Sequence, residues 1–137
     1  MEKEFIPYEQ ALALKELGFD EPCFGHYQQE WDDDEINELE PSLHMIFSKQ
    51  HQHAFQSCTA PTFSQSFRWF REKYGLSHTI HLKMSYNKRK IWYNINELDN
   101  RLIKSKFFKD YPRGFFKTYE EAELECLKKL IEIVKQK

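Results

Sequence analysis

What this chain has little of narrows its class before any motif is considered. Four glycines and five prolines in 137 residues leave no low-complexity linker, and no internal repeat divides the sequence, so a single domain spanning 1–137 is expected. The cysteines, Cys23, Cys58 and Cys126, are odd in number and widely spaced, which argues against a disulfide framework and for a reducing compartment. No apolar run approaches the roughly 20 residues of a membrane span. Met1 is followed by Glu2, Lys3 and Glu4 rather than by an apolar leader segment. These absences predict a soluble, cytoplasmic protein with no membrane partner.

Chemical signatures are as scarce. There is no glycine-rich phosphate loop, no G-x-S-x-G and no H-E-x-x-H. The acids Asp32, Asp33, Asp34, Glu35, Glu38 and Glu40 resemble a calcium loop only in charge. Asn37 stands where an EF-hand needs glycine, and Leu43 where it needs glutamate. They fit no two-metal template either, and read as an acidic loop closed by Pro41. His51, His53 and Cys58 could offer imidazole and thiolate to one ion, but they lack the paired spacing of a zinc site. No metal, cofactor or catalytic residue is expected, and the protein is not expected to be an enzyme.

Aromatic residues are abundant, with twelve Phe, seven Tyr and three Trp. The central stretch Ala60–Leu76 uses them to specify a helix over 62–74. Pro61 fixes the entry, Thr62 and Gln65 have capping-box spacing and Gly75 supplies the left-handed stop. Phe63, Phe67, Phe70 and Tyr74 fall within a stripe about 60° wide at roughly 100° per residue, which is a core face. Trp69 lies outside that stripe beside Arg68 and Glu72. Trp and Arg dominate binding hot spots, so Arg68, Trp69 and Glu72 form the candidate protein-binding site. The other reading of Trp69 is packing beneath the connection after Leu76 or against the C-terminal part of the chain.

Two further helices are expected. One spans 7–17, opened by Pro7 and stopped by Gly18. The last spans 119–136, where Thr118 and Glu121 form a second capping box, Tyr119, Ala122, Cys126, Leu130 and Ile133 make the apolar stripe, flanked by Leu127 and Val134, and Glu125 and Lys129 make an i,i+4 pair. Strands are expected over 21–31 and 42–48. Ile80, Leu82, Met84 and Tyr86 alternate, as do Ile91, Tyr93 and Ile95, which predicts an antiparallel hairpin with Asn87, Lys88, Arg89 and Lys90 between its arms. Residues 97–117 read mainly as irregular, with Leu98, Leu102 and Ile103 able to begin a short helix. The expected fold is α+β, an antiparallel sheet of about four strands with three helices in the order α-β-β-α-β-β-α. The helices are expected to pack on Ile80, Leu82, Met84 and Tyr86.

The net charge of −2 conceals an uneven distribution. Residues 1–40 carry thirteen acids against Lys3 and Lys15, whereas residues 83–117 carry ten bases against Glu97, Asp99 and Asp110. A nucleic-acid binder would use this second segment, with Lys83, Lys88, Arg89 and Lys90 on phosphates and aromatic rings under unstacked bases. The pI of about 6.3 weighs against it. A protein partner is therefore the first reading and nucleic acid the alternative.

The segments Phe5–Gly25, Ala60–Leu76 and Thr118–Ile133 together resemble a group of small uncharacterised proteins of phages and prophage-like elements of gut bacteria. The resemblance covers both ends and the middle of the chain, and leaves out the acidic loop and the basic hairpin. It implies an accessory product of a mobile element acting inside a bacterial cell, with a host protein as a candidate partner. It brings no activity, ligand or catalytic residue with it.

Overall fold

The computed structural model describes residues 2–28, 38–46, 58–99, 102–104 and 115–137. The chain is α+β, with three helices and antiparallel strands whose principal elements follow the order α-β-β-α-β-β-α. The strands form two three-stranded sheets rather than one, and the chain divides into two compact units, Met1–Ser66 and Phe67–Lys137.

In the first unit, a 3-10 turn at Glu2–Glu4 leads to helix α1, Tyr8–Glu16. Pro7 stands at its N-cap, and Gly18, at φ 93°, turns the chain out of it. That left-handed residue lets Phe19 N–H reach back to the Leu14 carbonyl at 2.9 Å, satisfying one of the orphan acceptors of the helix end. Ala11 and Leu14 are buried, and α1 lies against strand β3. Strand β1, Cys23–Gln28, is the centre of the first sheet, with β2 (Glu38–Ile46) and β3 (Cys58–Ala60) on either side, both antiparallel. Tyr27 O–H donates to the Ile6 carbonyl at 2.6 Å, and burial pushes its phenol up to about 12. The face of β1 that carries Cys23, Gly25 and Tyr27 is buried, while Phe24 is exposed.

The expectation of an acidic loop closed by Pro41 is corrected at its end. Strand β2 begins at Glu38, so Glu38, Glu40 and Pro41 are paired with Gln28, His26 and Gly25. A strand tolerates proline at an edge or an irregularity. Strand β2 is an edge strand, and its register with β1 shifts between Cys23 and Gly25. Trp31 and the acids 32–35 lie outside the described residues, as do His51 and His53.

Helix α2, Phe63–Tyr74, crosses from the first unit to the second. Gln65 N–H donates to the Thr62 hydroxyl at 3.2 Å, as the capping spacing requires. The Gln65 amide does not close the box. Its Nε2 donates instead to the Pro22 carbonyl at 2.8 Å and approaches the Glu21 carboxylate at 3.3 Å. Gly75 ends the helix at φ 65°.

In the second unit, β4 (Leu76–Ser85) and β5 (Lys88–Asp99) form a hairpin, and β6 (Leu102–Lys104) pairs with the end of β5. Residues 102–104 thus make a strand within the segment read mainly as irregular, because β5 runs on to Asp99 and gives them a partner. Helix α3, Tyr119–Lys135, covers the hairpin base on β5 and β4. Its cap forms as expected, with Glu121 N–H donating to the Thr118 hydroxyl at 3.1 Å. Its buried stripe is Ala122, Cys126, Leu127, Leu130, Ile131 and Val134. Tyr119 is exposed and Ile133 only half-buried, so the true core line is rotated toward Leu127 and Ile131. Glu125 pairs with Lys128 at 2.9 Å, and Lys129 with Glu132 at 3.2 Å. The expected Glu125–Lys129 pair gives way to these i,i+3 contacts.

Candidate functional site

The site proposed on α2 does not assemble on the surface. Trp69 is 5% exposed. Its ring meets Phe70 edge-on at 5.1 Å and Tyr74 at 5.3 Å, and the Lys73 ammonium lies 5.0 Å above it. Ser66, Phe67, Trp69 and Phe70 are all buried, so the covered arc of α2 is about 160° wide at roughly 100° per residue. That width absorbs Trp69 into the core. Arg68 and Glu72 remain exposed without it. Trp69 is buried and so not available as an exposed partner anchor.

The hairpin differs from expectation in a more informative way. Its turn is the residue pair Tyr86–Asn87, with φ of 47° and 59°, closed by Ser85 opposite Lys88. Two positive φ values in a two-residue connection match the right-handed twist of the flanking strands. Asn is at home in that conformation and tyrosine is not. Lys88, Arg89 and Lys90 consequently belong to β5 rather than to a loop, and successive residues of a strand point to opposite faces. Lys83 and Lys90 stand directly opposite each other, with Lys88 two residues on along the same face, while Arg89 is opposite Met84 on the other face.

The lysine face is also an aromatic ledge. His81 and Trp92 are cross-strand partners stacked at 4.9 Å, Phe115 meets Trp92 edge-on at 6.0 Å, and the Lys90 ammonium lies 5.1 Å over Phe115. Asn94 Nδ2 can only donate, so His81 Nε2 accepts from it at 2.9 Å. Like charges directly opposite across a ladder are unfavourable. Among the described residues no carboxylate pairs with Lys83, Lys88 or Arg89.

On the other face lie Leu76, His78, Ile80, Leu82 and Met84 with their partners Ile91, Tyr93 and Ile95. This face is core at the base, where Leu76 and Ile95 are buried, and along β5 as far as Ile91, which is also buried and whose carbonyl accepts from Phe116 N–H at 2.9 Å. His78 stacks on Phe67 at 3.6 Å between ring centres. Burial, aided by Arg71, lowers its pKa to about 4. Toward the tip the cover ends. Leu82 is 59% exposed, Met84 64% and Tyr86 99%. The expectation that helices pack on Leu82, Met84 and Tyr86 is thus overturned for those three. From Leu82 to the turn β4 runs on for about 13 Å at strand rise with Leu82, Met84 and Tyr86 in water, although Ile91, across from Leu82 on β5, is buried. Alternation had identified this face, but it carries no information on how far along the strand a covering helix reaches.

Cys58, weighed as a metal ligand, is buried against α1 and β1, and burial pushes its thiol up to about 11; Cys23 is raised to about 11 for the same reason. Among the described residues no group of three His, Cys, Asp or Glu side chains is placed to hold an ion. Among them, too, no helix is long and apolar enough to cross a membrane. Comparison with protein-family models, with curated proteins and with solved structures returns no match.

Proposed function

We propose that this protein is a non-enzymatic accessory protein acting inside the cell by protein–protein interaction, and that the partner is engaged by the distal half of the β4–β5 hairpin. The observation that carries the reading is the coincidence there of exposed Leu82, Met84 and Tyr86 with Lys83, Lys88, Arg89 and Lys90. Apolar side chains held in water next to a cluster of cations cost solubility, and such patches mark interaction surfaces. Assignment to a phage or mobile element, with a bacterial host protein as candidate partner, rests on the sequence resemblance alone.

The alternative is nucleic acid, favoured by the ledge of Lys83, Lys88 and Lys90 beside Trp92 and His81. A photo-crosslinking residue at position 86, used in bacterial lysate with and without nuclease, separates the two. A nuclease-resistant adduct that disappears in the double variant Leu82→Ser, Met84→Ser supports the protein reading. An adduct abolished by nuclease, or lost only when the three lysines are replaced, moves the assignment to nucleic acid.

A further inference from the structure

Among the described residues, one side of the β4 backbone has no strand partner. Strand order in the second sheet is β4-β5-β6, so β4 is an edge strand, and at ten residues a long one. Which of its groups point outward follows from the register. The Ile91 carbonyl accepts from Phe116 N–H on the side of β5 away from β4. Ile91 and its partner Leu82 are therefore a non-hydrogen-bonded pair of the antiparallel ladder, and Leu82 turns its own N–H and C=O away from β5. By the period of two, Ile80 and Met84 do the same. The two-residue turn closed by Ser85 and Lys88 gives the same phase, since that closing pair is the hydrogen-bonded one. Among the described residues nothing pairs with the outward groups of Ile80, Leu82 and Met84.

We propose that this edge receives an extended acidic segment of the partner protein as an added β-strand, an inference that rests on the hairpin being the interaction surface. Strand addition draws affinity from the ladder hydrogen bonds and specificity from alternate side chains. The incoming strand would place apolar residues beside Ile80, Leu82 and Met84, and carboxylates on the opposite face beside Lys83, the face that also carries its cross-strand partner Lys90 and Lys88. The charge argues for that occupant over a second copy of this chain. Residues 76–96 contain Lys83, Lys88, Arg89 and Lys90 and no Asp or Glu, so joining two β4 edges would bring both sets of cations together without a neutralising group. A lysine on an edge strand is a recognised obstacle to self-pairing, and Lys83 sits between the two exposed apolar residues.

The test uses a fluorescent peptide of alternating Val and Glu, of about ten residues to match β4, titrated against the full chain by anisotropy. Leu82→Pro removes an outward N–H together with the leucyl side chain, at a position where an edge strand accepts proline; Leu82→Ala, which loses the side chain and keeps the N–H, is its control, and Leu82→Pro should bind about tenfold or more weakly than Leu82→Ala while its melting temperature stays near that of wild type. Two versions of the peptide, N-methylated on all Val or on all Glu amides, probe the same bonds with the protein untouched. At least one should bind about tenfold more weakly or worse. A peptide with Gln in place of Glu should bind weakly and lose its salt dependence. Equal binding of both methylated peptides and the parent overturns strand addition. So does a Leu82-dependent dimer of the chain in sedimentation, or a single-stranded oligonucleotide that displaces the peptide at equal or lower concentration. If strand addition fails while Leu82→Ser, Met84→Ser still abolishes crosslinking from position 86, the hairpin remains the partner surface and only its mode of binding is wrong; if neither responds, both fall.

Discussion

Replacing Trp69 with alanine should destabilise the protein severely. At 5% exposure the indole is packed on nearly all sides, and removing a buried Trp or Phe side chain costs about 3–5 kcal/mol through lost transfer energy and the cavity left behind. The structure favours the upper part of that range. Two edge-on ring contacts, to Phe70 at 5.1 Å and Tyr74 at 5.3 Å, go with the indole, each worth about 0.5–1.5 kcal/mol beyond area. The Lys73 ammonium above the ring goes too, worth about 0.5–1 kcal/mol at a surface site. Relaxation can recover little, because Phe70 is itself fully buried and fixed on the same helix. Trp69→Phe should recover most of the loss. Far-UV circular dichroism is the appropriate probe, since the substitution also removes a fluorophore, and the melting temperature of Trp69→Ala should fall by about 10 °C or more. Glu72→Ala, on the exposed side of the helix, should stay within about 0.5 kcal/mol of wild type. A Trp69→Ala protein that melts with wild type would refute the burial of the ring and reopen α2 as a docking surface.

Three other expectations are narrower. Gly25→Ala would place a methyl carbon 2.6 Å from the buried Phe5 ring and 3.2 Å from the Ala60 carbonyl, so it should cost about 1–3 kcal/mol in urea unfolding, and a neutral result would mean that Phe5 is free to move. His78 has a folded pKa of about 4 against an ordinary value of 6.5; protons then bind the unfolded chain first, so stability present above about pH 6.5 is lost as pH falls toward 4. After a discount for its partial exposure this amounts to about 1–2 kcal/mol, and His78→Phe should remove that much of the acid sensitivity. Thr118→Ala deletes the α3 cap and should cost about 1 kcal/mol, which Thr118→Ser should restore.

How much of this was legible in the sequence follows from how local each signal is. The caps of α2 and α3 depend on residues three apart, and both form with the expected hydroxyls, Thr62 and Thr118. Hairpin pairing depends on period-two alternation, and Ile80 does meet Tyr93 while Leu82 meets Ile91. What alternation could not supply was the turn. Asn87 favours positive φ, but Tyr86 takes it only because the register of two long strands leaves no other residue there. The width of a helix's buried arc is likewise not local. A stripe of Phe63, Phe67, Phe70 and Tyr74 looks complete by itself, and its spacing gives no sign that burial extends to Trp69. Strand β6 escaped because Leu102–Lys104 is too short to show a period, and its structure comes from the far end of β5.

The candidate site was half legible for a related reason: net charge is a sum, whereas recognition responds to charge within a screening length, about 8 Å at physiological salt. Summed over the chain, −2 argues against an anionic ligand. Along β5, however, the first carboxylate after Arg89 is Glu97, about 27 Å away at strand rise, and it is already engaged by Lys137 at 2.8 Å. An acidic segment arriving at Leu82 and Met84 therefore meets Lys83, Lys88, Arg89 and Lys90 with Glu97, the first carboxylate along β5, distant and occupied. The cations would then act chiefly on the encounter, and the edge of β4 on residence. Raising the salt should slow association of the Val/Glu peptide steeply and change its dissociation little, whereas Leu82→Pro should do the reverse. Equal effects of salt on both rates would place the cations inside the bound contact instead of along the approach to it.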